Sequence, residues 1–131
     1  MVLEGDDMCF ACGAKNPIGL QLDFETEEEV VKAEFIPQEV HQGFDGIMHG
    51  GLTSTLLDEV MANTLYLKEV KAVTAKLELK FRQPVPIGEK LIVKGWIEKE
   101  KRKTVYTAAE LLNTAGEKYA EAEAVFMKQV D

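Results

Sequence analysis

Apolar side chains recur at every second position over most of this chain, and one long stretch breaks that rhythm. Leu20, Leu22 and Phe24 alternate with Gln21, Asp23 and Glu25, which is the period of a half-buried strand. Glu27-Glu28-Glu29 supplies a polar turn, and Val31, Ala33 and Phe35 resume the alternation, so these two runs predict a hairpin. Four further strands are expected at residues 73–81, 91–99, 104–112 and 119–127, the first of them ending at Gln83-Pro84-Val85-Pro86. The last run is rich in Ala and Glu. Its alternation of Tyr119, Glu121, Glu123 and Val125 with Ala120, Ala122, Ala124 and Phe126 favours strand over helix. Gly95 marks a bulge or a point of close approach within the second of the four.

The break lies between residues 37 and 68. Pro37 stops the preceding strand, and Gly43 and Gly46 permit backbone angles that other residues resist, so residues 37–48 read as loop. From Gly50 to Lys68 the period becomes helical. Leu52, Leu56, Leu57 and Val60 share one wide arc that Met61 and Leu65 extend, which predicts a helix largely enclosed by protein with a narrow wet face at Glu59. Residues 1–16 are mixed and irregular. The order β-β-α-β-β-β-β predicts an α+β architecture, an antiparallel β-sheet wrapped around one long central helix, in a single domain spanning residues 1–131.

Bulk properties narrow the function classes. Hydrophobic residues make up 46% and charged residues 29% of the 131 positions, as in ordinary globular proteins. No apolar stretch is long enough to cross a bilayer, and Met1 to Asp7 is too acidic for a secretory signal, so no membrane association and a cytoplasmic location are expected. A net charge of −8 argues against nucleic acid as a partner. The one dense basic group, Lys99, Lys101, Arg102 and Lys103 with Glu98 and Glu100 interleaved, fits either a solvated hairpin tip or a phosphate-binding rim. Cys9 and Cys12 form half of a zinc site without a second pair, and the spacing of His41 and His49 matches no finger. The expectation is a structural turn with reduced thiols, with no metal and no cofactor.

The chemistry concentrates where loop becomes helix. His49-Gly50-Gly51 leaves free backbone N–H groups at the helix start, a ready site for developing negative charge. Asp58 lies mid-helix, a poor position for aspartate on propensity alone, and Ser54 and Ala62 leave room beside it one turn away. Desolvation there would raise its pKa and suit it to general-base work near neutrality. The plainer alternatives are a glycine pair that merely turns the chain and an exposed aspartate without a role. Glu59 reads as a solvated surface acid.

With its His49-Gly50-Gly51 motif, the spacing to Asp58 within Leu56-Leu57-Asp58-Glu59, and Phe81-Arg82-Gln83-Pro84 at a strand end, the chain resembles the hotdog-fold acyl-CoA thioesterases of the phenylacetate-degradation (PaaI-like) branch. Cys9-Phe10-Ala11-Cys12-Gly13 with Asn16-Pro17-Ile18-Gly19-Leu20 matches a subgroup of them. The resemblance implies thioester hydrolysis, with Gly50 N–H as first oxyanion donor and Gly51 N–H as second. Asp58 would activate water or attack the carbonyl itself. His49 would shape the loop or hydrogen-bond near the thioester, and Thr74 would orient the acid or the water, unless it is simply a β-branched strand residue. Gly43 and Gly46 would lie along the substrate. Several family members carry Asn where Gly43 stands, so that amide contact is missing here unless Gln42 or His41 replaces it. Arg82, Lys101, Arg102 and Lys103 are the cationic candidates for the phosphates of an acyl-CoA substrate, with a surface ion pair the competing account of Arg82. The family's active sites form between subunits, which implies a homodimer or a dimer of dimers. A non-catalytic acyl-CoA or lipid binder is the alternative, and an enoyl-CoA hydratase is a third.

Overall fold

The computed structural model describes residues 7–129; the expectation placed on the acidic start at residues 1–6 lies outside the described residues. Six strands form one antiparallel sheet: β1 (Glu25–Glu27), β2 (Val30–Phe35), β3 (Ala72–Phe81), β4 (Leu91–Glu100), β5 (Thr104–Asn113) and β6 (Lys118–Lys128). Their spatial order is β1-β2-β4-β5-β6-β3. A single long helix, α1 (Gly50–Tyr66), packs across β2 to β6. The sheet wrapped around one helix is the expected α+β arrangement. Among the described residues, no helix is long and apolar enough to cross a membrane.

The helical arc forms the core as its periodicity requires. Leu56, Leu57, Val60, Met61 and Leu65 are buried against Leu91, Val93, Val105, Leu111 and Phe126 of the sheet. At Gly95 the close approach is real: a Cβ there would stand 3.0 Å from both Val60 Cγ1 and the Val60 carbonyl oxygen. The bulge in β4 sits two residues further on, between Ile97 and Lys99. On β6, Ala120, Ala122, Ala124 and Phe126 face inward as the alternation predicts.

Two expectations are corrected. Residues 20–24 form no strand, although Leu20 and Leu22 are buried as their spacing demands. Gln21 has φ +52°, a left-handed angle that interrupts extended backbone. Leu20 N–H and Leu22 N–H donate instead to the carbonyls of Phe10 and Ala11, at 2.8 and 2.9 Å. The alternation reported burial correctly, but the partner is an N-terminal turn. The hairpin survives only as its last three residues, closed by Glu28 and Glu29 with φ +48° and +68°. Positive φ at both central positions suits the twist of a tight hairpin. Glu59, expected on a wet face, is half-buried beneath that same N-terminal turn.

The two sheet edges differ. β1 is three residues long and acidic, with Glu at both ends. β3 is ten residues long, is hydrogen-bonded only to β6 within the sheet, and has most of its residues exposed.

Candidate functional site

The loop before α1 is built to hold the helix start. Gly46, at φ +76°, donates its N–H to Gln42 Oε1 at 2.7 Å, and its carbonyl accepts Ile87 N–H at 3.0 Å. Gly43 is not left-handed, so its role is space and not the unusual angle anticipated: a Cβ there would meet His49 Cα at 3.2 Å. Met48 N–H reaches the Val85 carbonyl and His49 N–H the His41 carbonyl, each at 2.8 Å. His41 Nδ1 accepts Gln38 N–H at 2.8 Å, and its ring packs against Phe35. Burial lowers the His41 pKa. Gln42 Oε1 and His41 Nδ1 are therefore both engaged within the loop.

His49 caps the helix through its side chain. Its Nδ1 accepts Gly51 N–H at 2.9 Å, so a neutral ring carries its proton on Nε2. The fit at position 51 is tight: a Cβ there would lie 3.0 Å from that Nδ1, so the ring would have to give way to any larger residue. The bond also distinguishes the two glycine amides. Gly51 N–H is occupied, whereas Gly50 N–H has no partner among the described residues. Gly50 is exposed at the positive end of the helix dipole. Beside it stands the Phe81 ring, 3.7 Å from where a Cβ on Gly50 would be. Phe81 remains 54% exposed, an apolar wall next to a free amide. Sequence reasoning took Phe81 only as a strand end.

Asp58 is half-buried two turns into the helix. Burial raises its pKa, and a hydrogen bond from Thr74 opposes that rise. Thr74 Oγ1 donates to Asp58 Oδ1 at 3.0 Å. A β-bulge in β3, between Thr74 and Lys76, directly follows the hydroxyl; such bulges bend a strand and redirect side chains. Thr74 thus hydrogen-bonds the acid as its position suggested, and the second carboxylate oxygen has no hydrogen bond among the described residues. On the adjacent residue, Glu59 has its pKa raised by burial and by the Asp58 charge. Its carboxylate meets Cys9 and Cys12, a contact sequence reasoning missed. Burial and the neighbouring Cys9 and Glu59 push the Cys12 thiol up to about 12, which makes it a poor nucleophile.

One chain does not bring every candidate together. Gly50 and Asp58 are separated by eight residues of α1, roughly 12 Å at about 1.5 Å per residue. Gly50 neighbours Phe81 at one end of β3, while Asp58 binds Thr74 near the other. The turn holding Lys101, Arg102 and Lys103 joins β4 to β5 beyond that second end. Lys103 carbonyl accepts Lys128 N–H, and the following Gln129 N–H donates to Lys71 next to β3. Lys101 Nζ sits 5.3 Å from the centroid of the Tyr106 ring. At the Gly50 end, Arg82 Nη2 pairs with Glu121 Oε1 at 2.6 Å and holds that carboxyl below the usual range. The ion pair offered as the competing account of Arg82 is present.

The chain is similar to known thioesterases. A model of the thioesterase superfamily matches residues 45–120, more than half of the chain. Acyl-coenzyme A thioesterase THEM4 of Mus musculus is 30% identical over 89 residues, covering 66% of this chain and 38% of the relative. Acyl-coenzyme A thioesterase 13 of Homo sapiens is 29% identical over 87 residues, covering 65% and 62%. The chain spans less than two thirds of the length of either. Among solved structures it is similar to PaaI from the phenylacetic acid degradation operon of E. coli, with TM-score 0.77 and 17% identity over 82% of this chain and 83% of that one. It is also similar to smu.793 of Streptococcus mutans, solved bound to acetyl CoA, with TM-score 0.75 and 19% identity over 82% and 88%. The fold is the hotdog fold.

Proposed function

The chain belongs to the thioesterase superfamily, and we propose that it hydrolyses acyl-CoA thioesters at sites completed by two copies of the chain. The observation that carries the proposal is the pairing of a free Gly50 amide at one end of β3 with a Thr74-bound, half-buried Asp58 at the other. Oxyanion donors and a base must each lie within about 3 Å of the groups they serve, and roughly 12 Å of helix separates these two within one chain. Antiparallel pairing of β3 with β3 of a second copy removes the conflict. It sets the Thr74 end of one strand against the Phe81 end of the other, so Asp58 of one copy faces Gly50 of its partner.

In this site the thioester oxygen accepts Gly50 N–H, reinforced by the helix dipole. Thr74 holds one oxygen of Asp58, and the other takes a proton from water. The water oxygen attacks the carbonyl carbon, the carbon–sulfur bond breaks, and the departing CoA thiolate takes up the proton. His49 contributes through its cap to Gly51, and its Nε2–H is a further donor at the mouth. Because His49 Nδ1 is committed to that cap, a histidine base of the kind hydratase chemistry needs is not at hand. The same strand pairing carries the Lys101, Arg102 and Lys103 turn toward the partner's Gly50 end, where it suits nucleotide phosphates as flexible point charges. The names of the relatives and the acetyl CoA held by the S. mutans neighbour support CoA as the leaving group.

Purified chain assayed for thiol release over short, medium, long and aryl acyl-CoA substrates tests the proposal. Turnover of at least one class, with kcat lost in Asp58→Asn, is the expected result. Binding without turnover across the panel would instead make the chain a non-catalytic acyl-CoA binder.

A further inference from the structure

The N-terminal turn and the helix surface it covers assemble a group of side chains that hydrolysis does not use. Cys9 Sγ, Cys12 Sγ and a Glu59 carboxylate oxygen lie within 4.8 Å of one another. Zinc bonds of about 2.3 Å to sulfur and 2.0–2.2 Å to oxygen place tetrahedral donors roughly 3.5–3.8 Å apart, so about 1 Å of closure completes the set. Glu59 is half-buried and has no hydrogen bond or ion pair to a cationic side chain among the described residues. A half-buried carboxylate facing two thiols is a negative site without a positive partner.

The backbone around the thiols is fixed in advance. Gly13 N–H donates to the Cys9 carbonyl at 2.8 Å and Lys15 N–H to the Asp7 carbonyl at 2.9 Å. A Cβ on Gly13 would stand 2.4 Å from both the Asp7 carbonyl oxygen and the Cys9 nitrogen, so this turn closes only with glycine. Ala11, between the cysteines, is buried in the core, and the bonds from Leu20 and Leu22 pin Phe10 and Ala11 from the other side. The expectation of no metal rested on the lack of a second cysteine pair in sequence. The missing ligand comes from the helix.

We propose that Cys9, Cys12 and Glu59 bind a zinc ion that fastens the N-terminal turn to the central helix. Two thiolates with one carboxylate match the borderline softness of zinc, and the exposed Cys12 side leaves the fourth position to water. Glu59 and Asp58 are consecutive helical residues and project about 100° apart. The metal therefore lies off the hydrolytic site and clamps one flank of the helix that carries it. This assignment is independent of the thioesterase proposal, since its readouts are metal content and spectroscopy.

Purified protein, reduced with a non-thiol reductant, is loaded with zinc, desalted and analysed for bound metal, in parallel with cobalt substitution. The expected result is about one zinc per chain and, with cobalt, a thiolate-to-metal charge-transfer band. Cys12→Ser should lose both. Glu59→Gln should weaken zinc at least tenfold, because even partners one shell removed from a metal cost about 10–100-fold. Asp58→Asn should keep zinc in full. The proposal is overturned if reduced wild-type protein takes up no stoichiometric zinc. It is equally overturned if Glu59→Gln binds zinc as tightly as wild type, which would leave an adventitious ion on two thiols. The cobalt band in the wild-type chain tests thiolate ligation even if a variant fails to fold, and its absence overturns the proposal.

Discussion

Asp58 and Glu59 are neighbours in sequence, both acids, both half-buried and both with raised pKa values. Their surroundings nevertheless differ, and the two proposed roles follow from that difference. Asp58 is held by a single hydroxyl from β3, which fixes one oxygen and leaves the other open, as a base requires. Glu59 meets two sulfur atoms and no hydroxyl, which suits a ligand and offers nothing to a substrate carbonyl. A step of about 100° around a helix is enough to separate the two roles. The lesson is that residue type and burial do not distinguish a base from a ligand; the groups that face the carboxylate do.

The sharpest way to break this contrast is to make the same change at both positions. Asp58→Asn should lower kcat by about 10²–10⁴-fold with zinc content unchanged, whereas Glu59→Gln should reduce zinc affinity and leave kcat within a few-fold of wild type (roughly, for a group outside the reacting atoms). Equal losses of turnover in the two variants would erase the distinction. Steady-state kinetics and metal analysis on the same samples decide it.

Next in size is the partner of Asp58 across the proposed interface. Gly50 is the first helical residue, where proline is well tolerated, and His49 already has φ −58° and ψ 130°, an extended geometry suited to a residue before proline. Gly50→Pro therefore removes the N–H with little cost to folding. It should cost about 10²–10³-fold in kcat, with the melting temperature close to wild type. Retained activity would assign the oxyanion to another donor.

Thr74→Val keeps the shape of the side chain and deletes the bond to Asp58. Loss of a hydrogen bond to a charged group is worth about 1.5–3 kcal/mol, or roughly 10-fold or more in rate. The hydroxyl lowers the Asp58 pKa, so the acid limb of the kcat/KM profile should move to higher pH in this variant. An unmoved limb would detach Thr74 from the base. The smallest expected effect is on stability. Chelation of zinc should lower the melting temperature of wild type and leave that of Glu59→Gln unchanged, measured by thermal denaturation with and without a chelator.

Local signals carried the fold a long way. The helix and the four strands that follow it were legible because periods of 3.6 and 2 are written in adjacent residues, as at Leu56, Leu57 and Val60 or along Ala120, Ala122 and Ala124. Residues 20–24 show the limit of that signal. Alternation tells which side chains are buried, but the backbone partner is a distant turn, and the left-handed Gln21 has no mark in the pattern. Glu59 failed for a related reason: the cysteines that lie against it, Cys9 and Cys12, are far from it in sequence. At the site, Asp58 and the glycine pair stood out by residue type. The preference for Gly50 over Gly51 came from the resemblance; the occupation of the Gly51 amide by His49 Nδ1 and the nearness of Phe81 to Gly50 came from how the loop and β3 lie around the helix start. Both are three-dimensional facts.

The unequal sheet borders limit how copies of this chain can associate. Ten residues at one border offer a row of main-chain groups for strand addition, while the three-residue acidic border opposite repels and is too short to accept a strand. Under the proposed pairing, with one border able to add a strand, growth through the sheet would stop after a single self-complementary contact. A dimer made by that route would be closed, with no continuation into a fibre.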